Sequence, residues 1–259
     1  MTVLDDDQHI RRAMSEVSNE VARFSYALFG LDTHDRPDLY ASCVLVECDG
    51  VGVLVTAAHA ISAIEKGGRG IYLGAKHLTQ VPGQFERSSK DGNDQLDIAA
   101  IVLPHDLLRQ EEMEALPLSR TGFDRPLPDA HFRCVHGYPL SKNRQYKRLN
   151  DANKTFTRYH FTYAGVSPEP VNYQKFGKDT TFHVALRYRK GTNEKGNRGR
   201  PPFPKGVSGG GLWMIPGLFA AKDCYLEGIA IEYHNTHSLL FSTRIDHVVK
   251  FVRKYVHKG

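Results

Sequence analysis

The sequence predicts an all-β protein in two comparable halves, with an amphipathic helix at each end. Three observations carry this. Short runs rich in β-branched and aromatic residues recur along the chain with turn residues between them, the texture of barrels or sandwiches rather than of alternating βα units. A proline-rich stretch without periodicity, residues 116–130 (LPLSRTGFDRPLPDA), divides these runs into two sets. Apolar residues at helical spacing mark both ends.

In chain order, residues 6–25 place Ile10, Met14, Val17, Val21 and Phe24 on one helical face. From Leu39 the stretch YASCVLVECDGVGVLVTAAHA gives two β-branched runs around Asp49-Gly50. Those two residues accept positive φ and predict a hairpin turn. The runs GIYLGA and DIAAIVLP precede the linker, and AHFRCVHGYP, RYHFTYAGV, TFHVALRYR, GGLWMI, LEGIAIEY and SLLFSTR follow it. The chain closes on Ile245, Val248, Val249, Val252 and Val256 at helical spacing, with Asp246 near the start of that helix.

At 259 residues and 41% hydrophobic content the chain can bury the core of one large β domain or two small ones. It has no run of eighteen apolar residues, and MTVLDDDQHIRRAM lacks the basic-then-apolar order of a secretory signal, so a cytoplasmic protein without membrane contact is expected. Four scattered cysteines, Cys43, Cys48, Cys134 and Cys224, form no C-x-x-C pair, and His234 and His237 have no ligand cluster beside them. Neither a metal nor another cofactor is expected. Most of the formal charge of +5 traces to Arg187–Lys205, where Glu194 is the single acid. That segment reads as a solvated, flexible loop open to proteolysis. It carries no aromatic-and-basic recognition motif, so nucleic acid is not an expected partner.

The chemistry points to residues 204–213, PKGVSGGGLW. A serine that attacks a carbonyl needs neighbours without side chains, to admit substrate and to turn backbone N–H groups toward the oxyanion. Ser208 has Gly206, Gly209, Gly210 and Gly211 around it. The alternative is a plain Gly/Ser turn between strands. A neutral hydroxyl also needs a base, and VLVTAAHA offers His59 where a strand runs out into small residues. The base needs an acceptor for its other ring nitrogen, and DQLDIAAIVLP offers Asp97 directly before an apolar run.

TAAH, DIAAI and GVSGGGLW, in this order, resemble the three signatures of the chymotrypsin-like (trypsin-like) serine proteases, T-A-A-H, D-I-A-L and G-D-S-G-G-P-L. The likeness covers roughly residues 26–256. It implies two six-stranded antiparallel barrels, one over about 26–117 and the other over about 131–243. Between them lies a linker at 118–130, and 244–256 form the closing helix; residues 1–25 are a helical extension. It further implies His59 as general base, Asp97 as its orienting carboxylate, Ser208 as nucleophile, and the N–H groups of Gly206 and Ser208 as oxyanion donors. Pro202, Ile231, Glu232 and Tyr233 fall where the family builds its primary specificity pocket. With Pro202 at the position of the acidic floor of trypsin-type members, a preference for Lys or Arg is not inherited.

The departures are Ala60, where secreted members carry a disulfide cysteine, and Met214, opposite Cys134, where they carry another. Val207 stands in place of the aspartate before the nucleophile, and Gly211 in place of the proline. The missing cysteines agree with a reducing compartment. The nearest resemblance is to stand-alone intracellular members of bacteria, some of which work with partner proteins. The expectation is therefore a serine endopeptidase acting on a protein or peptide, under the control of a regulatory protein partner. The alternative is a catalytically silent protein-binding module on the same fold.

Overall fold

The computed structural model describes residues 3–67, 70–88, 95–124, 132–143, 159–166, 170–193, 195, 198–216 and 221–257. A long helix, α1 (Val3–Ala22), leads into an eight-stranded sheet built from β1 (Ser25–Leu31), β2 (Pro37–Cys48), β3 (Val51–Ala57), β4 (Tyr72–Gly74), β5 (Leu78–Gln80), β6 (Glu86–Arg87), β7 (Ile98–Val102) and β8 (Leu116–Pro117). Two short helices interrupt it, α2 (Ala58–Lys66) after β3 and α3 (His105–Gln110) after β7. The strand order is β5-β4-β1-β2-β3-β7-β6. Beside this order β8 pairs with β2, and it does so in parallel.

The second sheet contains β9 (Phe132–Gly137), β10 (Phe161–Val166), β11 (His183–Asn193), β12 (Arg198–Gly199), β13 (Gly211–Ile215), β14 (Tyr225–His234) and β15 (Leu239–Arg244), and the chain ends on α4 (Ile245–Val256). Its order is β10-β9-β13-β14-β15-β11-β12, and an added β10–β11 pairing closes six of these strands into a barrel. The expectation of six strands in each half thus fits the second sheet, with β12 as an appendage, while the first carries eight. Among the described residues no pairing joins its two end strands.

Local sequence explains the main turns and ends. The β2–β3 hairpin runs from Cys48↔Val51 back to Val44↔Val55, and its turn is Asp49 (φ 51°) and Gly50 (φ 80°), both left-handed as the residue types require. In α1, Met14, Val17 and Val21 are buried together with Phe24 just beyond its end; the side chain of Ile10 lies outside the described residues. In α4, Ile245, Val248, Val249 and Val252 are buried, with Val256 half-buried. Of the proline-rich linker, 125–130 lie outside the described residues, and the part before it is ordered by β8 and by a bridge from Thr121 to Leu226.

The expected basic loop is different from its reading. Residues 187–193 belong to β11, paired to β10, β12 and β15, and Arg198–Gly199 return as β12. Arg187, Tyr188 and Arg189 alternate half-buried, buried and exposed. That two-residue period is the strand signal, and a count of charges passes over it.

One apolar cluster crosses the whole molecule. It joins Val44, Leu54 and Ile98 of the first sheet to Trp213, Leu226 and Phe241 of the second, and to Val17, Val21 and Phe24 at the α1 end. Each such side chain contributes about 1.5–3 kcal/mol when fully buried, so the two halves and α1 are stabilised as one unit. Glu20 of α1 adds an ion pair to Arg120 at 2.5 Å. Burial pushes its carboxyl up, but hydrogen bonds from Arg120 and Arg23 outweigh this and hold it below the usual range. Among the described residues no helix is long and apolar enough to cross a membrane.

Candidate active site

His59 is the second residue of α2, whose N-terminal cap, Ala57, has no side chain to offer the orphan N–H groups. Asp97, directly before β7, supplies that cap. Its carbonyl accepts the N–H of Ala58 at 2.9 Å, one carboxylate oxygen accepts the N–H of His59 at 2.8 Å, and the other lies 2.5 Å from His59 Nδ1. Asp97 reaches all three because its backbone is left-handed, φ 50°, a conformation that aspartate tolerates better than most residues. With Nδ1–H donated to the carboxylate, Nε2 keeps the lone pair and becomes the basic nitrogen. The imidazole is half exposed.

The second sheet holds the loop that carries Asp97. His183 Nε2 donates to the carbonyl of Gln95 at 2.7 Å, and Thr243 Oγ1 donates to that of Leu96 at 2.5 Å. Both side chains are buried. Burial pushes the His183 imidazole below its usual pKa, outweighing the Gln95 and Asp179 carbonyls that face its ring nitrogens.

The first sheet in turn holds the loop that carries Ser208. Buried Ser42 donates its N–H to the carbonyl of Ser208 at 2.8 Å and its hydroxyl to the carbonyl of Gly206 at 2.7 Å. The same hydroxyl accepts the N–H of Tyr138 at 2.8 Å. Thr56, three residues before His59, donates its hydroxyl to the carbonyl of Ser42 at 2.7 Å. Gly209 presses into this corner with φ 84°: a Cβ there would stand 2.0 Å from the Ser42 carbonyl oxygen and 2.1 Å from Thr56 Oγ1. The serine loop is thereby seated at the end of β3, from which His59 projects. No hydrogen bond joins Ser208 Oγ to the His59 ring among the described residues.

Residues 204–207 form a tight turn. Val207 N–H donates to the carbonyl of Pro204 at 2.8 Å, with Gly206 at φ 93°, the type II arrangement that calls for glycine at the third position. The carbonyl of Lys205 accepts the N–H of Leu140 at 2.7 Å. A trans peptide points its C=O and N–H in opposite directions, so the Gly206 N–H faces away from Leu140. Among the described residues neither the Gly206 nor the Ser208 N–H has an acceptor. These two free amides stand on either side of Val207, one inside the turn and one just after it.

No protein-family model matches the chain, and no curated protein matches it. Solved structures do. The HtrA-type protease AlgW with a tripeptide matches at TM-score 0.55 and 13% identity, over 95% of this chain and 64% of that one, so the chain spans less than two thirds of that protease's length. A kallikrein-related peptidase 10 complex with Zn2+ matches at TM-score 0.55 and 15% identity, over 93% of this chain and 98% of the other. The fold is chymotrypsin-like.

On this chymotrypsin-like fold the sequence departures acquire physical reasons. Ala60 is buried in the α2 contact, and all four cysteines are buried free thiols. Val207 is buried among apolar residues of the second sheet, where an aspartate would have no partner of its own. At Gly211 a Cβ would lie 2.3 Å from Trp213 Nε1. The glycines thus serve close packing of the loop against Ser42, Thr56 and Trp213 as well as the open space expected around the serine.

The expected pocket residues separate. Pro202 and Tyr233 line one cavity of about 480 Å³. Ile231 points into the core and is not among its walls, because the register shift between Ala230 and Glu232 breaks the alternation of β14 and puts Ile231 and Tyr233 on opposite sides. Glu232 is also absent from the walls; its carboxylate is taken by Lys178 at 2.5 Å and His234 at 2.9 Å. Among the described residues no group of three or more His, Cys, Asp or Glu is placed to hold a metal ion. Ser42, Thr56, His183 and Thr243 escape the sequence reading. For Ser42 and Thr56 the available signal is a lone polar residue inside an apolar run.

Proposed function

We propose that the chain is a serine endopeptidase that hydrolyses peptide bonds of a protein or peptide through Ser208, His59 and Asp97, without a cofactor. Residues 26–256 make up the protease domain in this reading, with α1 as an appended helix. Ser208 Oγ attacks the scissile carbonyl carbon while His59 Nε2 takes its proton, and Asp97 stabilises the imidazolium that forms. The oxyanion is received by the N–H groups of Gly206 and Ser208. His59 returns the proton to the leaving amine, and water then releases the acyl group from Ser208 by the same steps.

The observations that support this reading are the unclaimed amides of Gly206 and Ser208 and the His59–Asp97 pair, whose Nδ1 and carboxylate oxygen lie 2.5 Å apart. The tripeptide held by the HtrA-type protease supports a peptide ligand here by analogy. Cytoplasmic residence belongs to the same reading, and so does control by a partner protein, which would act on the Ser208–His59 hydrogen bond that the structure leaves unmade.

The test is intact-mass analysis after treatment with a fluorophosphonate probe. One adduct is expected on the wild-type chain and none on Ser208→Ala, whose turnover falls on the order of a millionfold with the fold retained. Equal labelling of both proteins would remove Ser208 from the mechanism.

A further inference from the structure

The cavity that contains Pro202 and Tyr233 adjoins the serine loop on both sides. One wall runs through Pro202 and Phe203 into Pro204, whose carbonyl begins the turn before Ser208. The other is Tyr233, three residues past Ala230, whose N–H and carbonyl pair with Gly210 and Gly209. The aromatic lining is rigid: Tyr233 packs edge-on against both Tyr188 and Phe203, with centroids 5.6 and 5.8 Å apart. Phe203 is 57% exposed.

The charge of this cavity has one sign. Arg189, Arg200 and His237 line it, and Lys175 Nζ stands 3.3 Å from His237 Nε2. Among the described residues no carboxylate lines it, and neither arginine has a carboxylate partner. Glu232, the nearest acid in sequence, is already paired with Lys178 at 2.5 Å. Two other cavities among the described residues differ. One of about 550 Å³ mixes Asp124, Glu227 and Asp246 with Arg244 and Lys250, and one of about 460 Å³ mixes Glu47 and Glu112 with Arg109.

We propose that this cavity selects an acidic side chain, Glu or Asp, at the residue whose carbonyl Ser208 attacks. The methylene stem packs on the Phe203 and Tyr233 rings, and the carboxylate is received by Arg189 and Arg200, whose planar forks match its two oxygens. A lysine or arginine side chain in the same place meets two like charges and no acceptor carboxylate. This specificity rests on the endopeptidase reading, but the cavity's preference for an anion does not, and the two can be tested apart.

The experiment has two arms. Wild-type protein, checked by the fluorophosphonate probe, is given a mixed peptide library, and cleavage sites are read by mass spectrometry. Separately, Ser208→Ala is titrated with acetylated tetrapeptide amides that differ only in ending on Glu, Gln or Lys. Cleavage after Glu or Asp is expected, with Glu bound about tenfold or more tighter than Gln at low salt and the gap shrinking as salt screens it. Arg189→Gln with Arg200→Gln should erase the gap, and Arg200→Glu should turn the preference toward Lys; circular dichroism checks that these exposed changes leave the fold intact.

Probe labelling with cleavage indifferent to the acidic side chain overturns the specificity and leaves the endopeptidase standing. No labelling, but Glu bound over Gln, overturns the endopeptidase and keeps the anion cavity. Equal binding of Glu and Gln peptides, or a preference for Lys in the unsubstituted arginine pair, sinks the proposal in either case.

Discussion

The two loops that meet at the site are each fastened by the opposite sheet, yet by different chemistry. The Asp97 loop is gripped through its carbonyls by two separate side chains of the second sheet, His183 and Thr243. The Ser208 loop hangs on one residue of the first sheet, Ser42, which uses its N–H and both roles of its hydroxyl, with Thr56 bracing it from behind. The first arrangement spreads the load and includes a titratable group. The second concentrates it and contains none. The difference teaches where each side should fail: the histidine side by changes of charge, the serine side by loss of a single buried hydroxyl.

Among changes that test the two fastenings, the largest effect should come from Asp97→Asn. The amide can still accept the His59 N–H, but its NH₂ then faces Nδ1, which is forced to accept, and the proton moves to Nε2. That tautomer cannot take the proton of Ser208. In the triad on which this chemistry is known, the same change costs about 10⁴ in kcat, and a loss of that order is expected here in peptide hydrolysis. The α2 terminus also loses its charged partner, worth about 0.3–1 kcal/mol of stability. Retention of most activity would show that the carboxylate is only a helix cap.

Ser42→Ala probes the other side. It leaves the Gly206 carbonyl and the Tyr138 N–H without partners, at about 1–3 kcal/mol for each buried group. A turn released at Gly206 misplaces one oxyanion donor, so kcat should fall by about 10²–10³ with little change in KM. Thermal unfolding and hydrolysis kinetics on the same variant separate the two roles. Lower melting with unchanged kcat would mean that Ser42 stabilises the fold without positioning the turn.

Much of this comparison is visible in the sequence, and the reason it is not all visible is physical. The Asp49-Gly50 hairpin and the faces of α1 and α4 are local, set by residues within a turn or two of each other. His59, Asp97 and Ser208 are legible through short stretches whose residue types the chemistry constrains. Ser42 acts on Gly206, 164 positions away, and His183 on Gln95, 88 positions away. Only the folded register brings such pairs together, and Ser42 by itself looks like a polar interruption of an apolar run. The segment 187–193 fails for a related reason: Arg187 and Arg189 occupy the outward positions of a strand, so charge there reports one face of β11 and not a loop.

The smallest predicted effect separates the two sides by pH. His183 packs with Lys178 and Asp179 near it, and burial holds its imidazole below the usual pKa. Fully buried His136, with His160 beside it, is held well below for the same first reason. A histidine whose folded pKa is depressed binds fewer protons in the native than in the unfolded state. Its stabilisation is complete above the unfolded pKa of about 6.5 and is lost as pH falls below it, with a limiting slope of about 1.4 kcal/mol per pH unit for each group. Glu111 adds a loss only at lower pH, since its carboxyl is held down, burial being outweighed by bonds from Thr79 and His77. Denaturant unfolding between about pH 7 and 5 should therefore show wild-type stability falling. His183→Gln, which keeps a donor for the Gln95 carbonyl, should remove roughly half of that slope, whereas Ser42→Ala lowers stability at every pH and leaves the slope intact. A Ser42 variant that flattens the profile, or a His183 variant that does not, would mean that proton binding and loop fastening are not divided between the two sides in this way.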